Sequence, residues 1–255
     1  MTLIKAVYAA LIVGFLIAPL LVVLPLAFTS SAFLTYPIPS WSLRWFTELA
    51  ENAVWSRAIL NSLVIATATT ALATVLGTLA ALGLRARKLM LSTQMRTLFL
   101  LPMVVPAVVL GVGMQALFVR FGINSTYVSV IVAHSVIAIP FVVISVSGAL
   151  AGIDRRVERA AESLGAPPPK VFFLVTLPLA MPGVLSGAAL AFATSLDEVV
   201  LTLFVAGPNQ RTLARQMFST LRENISPAIA SAAFVIIAGT VIVALLLLLL
   251  RRRAG

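Results

Sequence analysis

The sequence predicts an all-α membrane protein with six transmembrane helices. Its 255 residues are 61% hydrophobic and only 10% charged, and the mean hydropathy is +1.10. These values exclude an ordinary soluble domain and are typical of a multispanning helical membrane protein. Six apolar runs are long enough to cross a hydrocarbon core of about 30 Å, which takes about 20 residues. They cover approximately residues 6–28, 58–84, 97–119, 125–150, 181–205 and 228–250.

The first run begins after Lys5 and could be mistaken for a secretory signal. It is about 23 residues long, however, whereas the apolar core of a signal peptide has about 7–15 residues. Because five more runs follow, we interpret it as the first span. No linker or low-complexity segment divides the chain, so a single transmembrane domain is expected over residues 1–255.

The predicted orientation follows from the distribution of lysine and arginine. An even number of spans puts both termini on one side of the membrane. Twelve basic residues fall on the side of the termini, against six on the other side. The twelve are Lys5, Arg85, Arg87, Lys88, Arg96, Arg155, Arg156, Arg159, Lys170, Arg251, Arg252 and Arg253. The positive-inside rule therefore places both termini and the segment 152–178 in the cytoplasm, and it explains the net charge of +10 without a nucleic-acid partner.

The segment 30–57 forms the longest predicted loop on the outer side. It contains Trp41, Trp45 and Trp55. Tryptophan is enriched where a membrane meets water, so this pattern predicts an amphipathic stretch at the interface.

Motifs for catalysis are missing from the sequence. The chain has no cysteine and one histidine, His134, so thiol chemistry and histidine-rich metal sites are excluded. It also lacks the phosphate-binding loop, the nucleophile elbow and the zinc-protease motif. We therefore expect a non-catalytic protein with no cofactor and no metal.

A short polar helix is predicted at 154–165, between the fourth and fifth spans. Its apolar stripe consists of Val157, Ala160, Ala161 and Leu164. Asp154 is a suitable N-cap, and Gly165 stands where a left-handed residue ends a helix. Prolines at 167–169 prevent continuation. An isolated helix of about eleven residues is marginal in water, so we expect this helix to dock against another protein.

Two acidic residues, Asp197 and Glu198, interrupt the apolar fifth run. Burying a charge in hydrocarbon costs at least about 2.5–3.5 kcal/mol, so each must face a cavity, a pathway or a partner. Two interpretations remain open: a group that attracts cations at a translocation path, and a hydrogen-bonded pair that ties the span to its neighbours. For His134 the alternatives are a proton relay and a hydrogen bond to a backbone carbonyl. Pro102, Pro106 and Pro140 predict kinks or hinges within spans three and four.

The polar insert resembles the EAA signature of ABC-importer permeases. That signature reads Glu-Ala-Ala, three residues, Gly, nine residues and Ile-x-Leu-Pro. The matching residues here are Ala160, Ala161, Gly165, Leu177 and Pro178. Arg159 occupies the position of the glutamate, Glu158 lies one position earlier, and Val175 replaces the isoleucine.

Further segments are similar to the spermidine/putrescine branch of these permeases. They are Ser42–Phe46, Asn61–Leu63, His134 with Pro140–Val142, Leu177–Pro182, Ser195–Val199 and Ala206–Pro208. Related branches import opines, aminophosphonates and amino-acid derivatives. The resemblance covers residues from about 40 to 235.

The resemblance implies a type I importer permease with the MetI-like architecture, in the bacterial inner membrane. Such a subunit forms half of the pathway for a polyamine or a related cationic molecule. Its implied partners are a cytoplasmic ABC ATPase dimer, a second permease, an external substrate-binding protein and the lipid bilayer. The implied coupling residues are Glu158, Arg159, Ala160, Ala161, Gly165, Leu177 and Pro178. The implied pathway residues are Asp197, Glu198 and Ser195, and the charged residues Arg211, Arg215, Arg222 and Glu223 are candidates for contact with the binding protein.

Two alternatives remain at this point. One is an ABC permease for an opine, an aminophosphonate or an amino-acid derivative. The other is a proton-coupled secondary carrier that uses Asp197, Glu198 and His134. Such carriers often contain internal repeats, and no convincing repeat is visible in this sequence.

Overall fold

The computed structural model describes residues 2–85 and 92–254, and these consist of helices and connecting turns. The α-helices are α1 (Thr2–Leu26), α2 (Arg44–Glu51), α3 (Ala53–Arg85), α4 (Ser92–Leu100), α5 (Ala107–Arg120), α6 (Tyr127–Ala151), α7 (Arg155–Ser163), α8 (Pro168–Val171), α9 (Leu177–Asp197), α10 (Val200–Val205), α11 (Leu213–Glu223) and α12 (Ala228–Ala254). The predicted all-α class is confirmed.

Five helical segments of the described chain are long and apolar enough to cross a membrane. They are Lys5–Leu26, Ala53–Arg85, Tyr127–Ala151, Pro168–Asp197 and Ala228–Leu246. Each overlaps one of the predicted runs. Arg87 and Lys88, two of the twelve basic residues that predict the orientation, lie outside the described residues. The cytoplasmic position of both termini stays a prediction.

The third predicted span, 97–119, is not one straight helix. Thr93–Met103 and Ala107–Arg120 meet at an angle of 98°, as a broken span or a re-entrant loop. Pro102 and Pro106 flank the break, and proline removes the amide that would continue the hydrogen-bond ladder. The described chain therefore has five spanning segments, or six if the bent pair crosses as one.

The fifth predicted span, 181–205, is displaced along the chain. The helical segment begins at Pro168, passes through a π-helical turn at Phe172–Thr176, and ends at Asp197. Prolines are tolerated in the first helical turn because the amides there have no partner within the helix. Glu198 has an extended backbone, with φ −75° and ψ 111°, and separates this segment from α10.

The described residues form two compact units, and the single domain expected over 1–255 stays a prediction. One unit contains the chain up to Ala58 and Gln216–Ala238. Its core includes three aromatic rings, of Phe28, Phe46 and Phe234, with centroids 5.1, 5.3 and 5.6 Å apart.

Two of the three tryptophans in the outer segment lie inside this unit. Trp45 is buried and donates its indole N–H to the carbonyl oxygen of Ser31 at 3.1 Å, and Trp55 is also buried. Trp41 remains 70% exposed. Protein atoms therefore cover the rings of Trp45 and Trp55, and the interfacial position of the segment 30–57 stays a prediction.

The other unit contains Ile59–Arg215 and the chain from Gly239 onward. Its central feature is the close packing of α6 against α9. A Cβ atom built at Gly187 would lie only 2.9 Å from the Cα of Val142. Glycine at this position lets the two backbones approach to a distance that a side chain would prevent.

Candidate functional site

The short helix α7 begins and ends where the sequence predicts. The Asp154 carboxylate accepts a hydrogen bond from the amide of Arg156 at 2.8 Å, which caps the first turn. Gly165 has φ +85°, and its amide donates to the carbonyl oxygen of Glu162 at 2.9 Å. Since a left-handed backbone favours glycine, this residue fixes the end of the helix.

The apolar stripe of α7 is exposed. No residue of Arg155–Ser163 is buried, Val157 is 47% exposed, and Leu164 just beyond the helix is 89% exposed. A capped helix outside the spans that presents apolar side chains to its surroundings is typical of an interaction surface.

An ion pair between Glu158 and Arg85 holds α7 against the rest of the chain. Oε1 of Glu158 accepts from Nη1 of Arg85 at 2.6 Å and from the Thr176 hydroxyl at 2.7 Å. Arg85 also donates to the carbonyl oxygen of Ile153 at 2.9 Å, and the Arg155 guanidinium donates to the Arg85 carbonyl oxygen. The carboxylate of Glu158 thus joins α7 to the end of α3 and to the π-helical turn before α9.

Sequence reasoning missed this anchor. In the sequence, Arg85 served only as one of the basic residues that predict the orientation in the membrane. Glu158 is 73 positions away along the chain. No local pattern links two such residues. A cavity of about 930 Å3 borders the pair, so α7 rests on these polar contacts rather than on a packed core.

The two acidic residues of the fifth run lie at a break between helices. Asp197 is the last residue of α9 and is exposed. Glu198 is partly buried, and its Oε1 accepts from the amide of Leu201 at 2.7 Å, which caps the first turn of α10. The two carboxylates therefore have different surroundings.

His134 bridges this break from α6. It is fully buried, with Nδ1 2.8 Å from the Ser195 hydroxyl and Nε2 2.9 Å from the Thr202 hydroxyl. The single proton of the Thr202 hydroxyl goes to the carbonyl oxygen of Glu198 at 3.0 Å. In the tautomer that carries its proton on Nε2, Thr202 therefore accepts from Nε2–H.

This cluster adds to the expected environment of two residues. His134 contacts two hydroxyls, and a hydrogen bond with the Ser195 backbone also acts on it, so the expected bond to the backbone is present beside two bonds that were not expected. Ser195, a predicted pathway residue, is buried with its hydroxyl directed to the imidazole. A role for Ser195 at the pathway stays a prediction.

Arg215, a candidate for contact with a binding protein, is occupied within the chain. Its Nη1 donates to the carbonyl oxygens of Thr202 at 3.2 Å and Ala206 at 2.8 Å. Burial, and then the neighbouring charge of Arg211, lower the pKa of Arg215. Arg222 and Glu223 are exposed at the end of α11.

Comparison with known families decides the class of this chain. The family described as "Binding-protein-dependent transport system inner membrane component" matches residues 73–255. The chain belongs to this family. The predicted resemblance to importer permeases is confirmed, as is the location in the inner membrane.

Relatives within this family carry polyamine names. The chain is 36% identical over 230 residues to "Putrescine transport system permease protein PotI" of Escherichia coli (strain K12), covering 88% of this chain and 82% of that protein. It is 30% identical over 225 residues to "Spermidine/putrescine transport system permease protein PotC" of Haemophilus influenzae, covering 88% and 87%.

A solved importer shares the fold of this family member. A chain of a bacterial ABC transporter involved in the import of the acidic polysaccharide alginate superimposes with a TM-score of 0.72. The match covers 98% of this chain and 95% of that chain at 16% identity, so it shows the fold alone. The MetI-like permease architecture is thereby confirmed. The proton-coupled carrier finds no support among these comparisons.

Proposed function

We propose that this permease forms half of the translocation pathway of an ABC importer and pairs with a second permease subunit. A cytoplasmic ABC ATPase dimer supplies the energy, and an external binding protein delivers the substrate. The chain itself carries no catalytic residues. The observation that carries this proposal is α7, a capped helix with no buried residue, in a member of the binding-protein-dependent family.

The coupling region extends over residues 152–178. Ala160 and Ala161 lie on α7, Gly165 ends it, and Leu177 and Pro178 open α9. Movement of α7 is passed through Glu158 to Arg85 and Thr176, because one carboxylate oxygen binds both. The two donors, Arg85 and Thr176, lie at the ends of long helices, so the spans follow α7 as rigid bodies. The path then opens alternately to either side of the membrane.

The substrate is a polyamine or a related cationic small molecule. The names of two relatives and the exposed carboxylate of Asp197 support this class. An ammonium group gains a charge-assisted hydrogen bond at such a carboxylate. Glu198 and Ser195 hold the break that presents Asp197. Opines, aminophosphonates and amino-acid derivatives are the competing substrates.

Asp197→Asn tests this assignment in the assembled transporter. We expect putrescine uptake at low concentration to fall about tenfold, which corresponds to about 1.4 kcal/mol of lost attraction. The measurement is ATP-driven uptake of labelled putrescine into proteoliposomes that contain all subunits. Glu51→Gln removes the same charge from an exposed position on α2 and should leave uptake unchanged.

Two results would count against the proposal. Unchanged uptake by Asp197→Asn, in a complex of normal composition, would remove Asp197 from the pathway. Transport of an opine or an aminophosphonate in preference to putrescine and spermidine by the wild-type complex would assign the chain to a related branch.

A further inference from the structure

Asn61 on α3 holds the loop that connects α10 to α11. It is only 2% exposed, and its amide nitrogen donates to the carbonyl oxygens of Asn209 at 2.8 Å and Arg211 at 2.9 Å. Its amide oxygen accepts from the Tyr127 hydroxyl at 2.7 Å. Both N–H donors of this side chain are therefore used by the loop, and the contact with Tyr127 fixes the orientation of the amide.

A second contact from α3 fixes the start of α11. The Ser62 hydroxyl accepts from the amide of Leu213, the first residue of α11, at 2.8 Å. Two positions later, Nη1 of Arg215 donates to the carbonyl oxygens of Thr202 at 3.2 Å and Ala206 at 2.8 Å. Because α3 fixes both the loop and the first residue of α11, it also determines where the Arg215 guanidinium lies.

The two ends of α10 are held by side chains of opposite charge. Arg215 binds carbonyl oxygens at the C-terminal end, where a helix favours positive charge. At the other end the Glu198 carboxylate accepts from the amide of Leu201 at 2.7 Å. A helix of six residues is too short to be stable by itself. Its position therefore depends on these contacts and on the bond between His134 and Thr202.

Asp197 directly precedes this short helix, since only Glu198 and Val199 separate it from α10. From these contacts we infer that Asn61 is a positioning residue of the translocation pathway. Through the loop and Arg215 it holds α10 in place, and it thereby sets where the Asp197 carboxylate is presented to the substrate. This inference rests on the proposed function, in which Asp197 faces the substrate.

Asn61→Ala tests this role in the complete transporter, because it removes both donors to the loop. We expect uptake of labelled putrescine at low concentration to fall about fivefold. Uptake at saturating putrescine should stay near the wild-type level, since the attraction of the substrate is weakened and the turnover is not. The measurement is ATP-driven uptake into proteoliposomes that contain all subunits.

The double variant of Asn61→Ala and Asp197→Asn separates positioning from a general loss of stability. If Asn61 acts through Asp197, the double variant loses about tenfold in uptake, as Asp197→Asn alone does. Independent effects would multiply to about fiftyfold. Such a product, or unchanged uptake by Asn61→Ala, would overturn the positioning role.

Ser231→Ala is the matched control. Ser231 is buried, and its hydroxyl donates to the carbonyl oxygen of Ala27 at 2.9 Å, so this contact also joins distant parts of the chain. Both residues belong to the other compact unit. We expect normal uptake by Ser231→Ala. A fall as large as that of Asn61→Ala, which also disappears beside Asp197→Asn, would overturn the specific role of Asn61.

Tyr127→Phe carries the same test if Asn61→Ala does not assemble with its partner subunits. It removes only the hydroxyl that orients the Asn61 amide, so we expect a smaller fall that is absent beside Asp197→Asn. Unchanged uptake by Tyr127→Phe, or a fall that persists in the double variant, would overturn only the positioning role. Unchanged uptake by Asp197→Asn would instead overturn the proposed role of Asp197, together with this inference.

Discussion

Adjacent residues take different roles at the break after α9. Asp197 is exposed, whereas the carboxylate of Glu198 accepts from the Leu201 amide at 2.7 Å. Successive residues of a helix diverge by about 100°, and here the backbone also changes direction between them. The structural interpretation therefore fits Glu198, and the cation-attracting role of Asp197 stays a prediction.

His134 contributes to stability through its two hydroxyl partners. We expect His134→Leu to lower the free energy of unfolding by about 1–3 kcal/mol, because both hydrogen bonds across the α9–α10 break are lost. The melting temperature of the purified permease should fall by several degrees, as thermal unfolding in detergent can measure.

Ser135→Ala is the control for this prediction. Ser135 neighbours His134 and is also buried, but its hydroxyl donates to the Ile131 carbonyl oxygen at 2.7 Å within the same helix. Removing this local bond should change the melting temperature much less. Equal effects of the two substitutions would show that His134 does not hold the break.

The third and fifth predicted spans both differ from the observed helices, and the reason is the same. Hydropathy records which residues avoid water, but it does not record the direction of the backbone. Pro102 and Pro106 were expected to kink span three, and the structure has a turn of 98° there. At the break after Asp197 no proline is present, and the Glu198 backbone and its cap on α10 end the span.

A substitution at Gly165 tests whether the end of α7 matters for coupling. We expect Gly165→Pro to reduce ATP-driven uptake at least tenfold while ATP hydrolysis continues. Proline excludes the φ of +85° and lacks the amide that donates to Glu162, so the helix end must rearrange. Uptake and hydrolysis are measured together in proteoliposomes.

Gly148→Ala serves as the comparison, because a Cβ atom there meets no other atom within 4 Å. Gly148 lies inside α6, where alanine favours the helix by about 1 kcal/mol. This variant should transport normally. Normal coupling by Gly165→Pro would contradict the docking role of α7.

The composition of the purified complex tests the proposal for the whole molecule. We expect affinity purification from the native membrane to recover an ABC ATPase, a second permease and a binding protein, identified by mass spectrometry. A single-subunit preparation that transports substrate without ATP would instead support the secondary carrier.

The sequence was sufficient for the parts of this molecule that depend on local chemistry. The Asp154 cap and the Gly165 helix end each need only a few neighbouring residues, and the structure has both. Five of the six predicted apolar runs also overlap a helix long enough to cross a membrane. The sequence was insufficient for contacts between distant residues. Glu158 with Arg85, and His134 with Ser195 and Thr202, join positions 61 to 73 apart, and many other pairings have the same local pattern.

The close contact of α6 with α9 has a mechanical consequence. At Gly187 the two backbones are in direct contact, and we expect helices packed this closely to move together as one body. From Thr176, beside the α7 anchor, to Asp197 the helical segment is about 32 Å long at about 1.5 Å per residue. A rotation of about 10° about the end near Thr176 would therefore displace the Asp197 end by about 5.6 Å, roughly one helical turn. A small rotation at the end near α7 would thus move the opposite end of α9 by several ångströms.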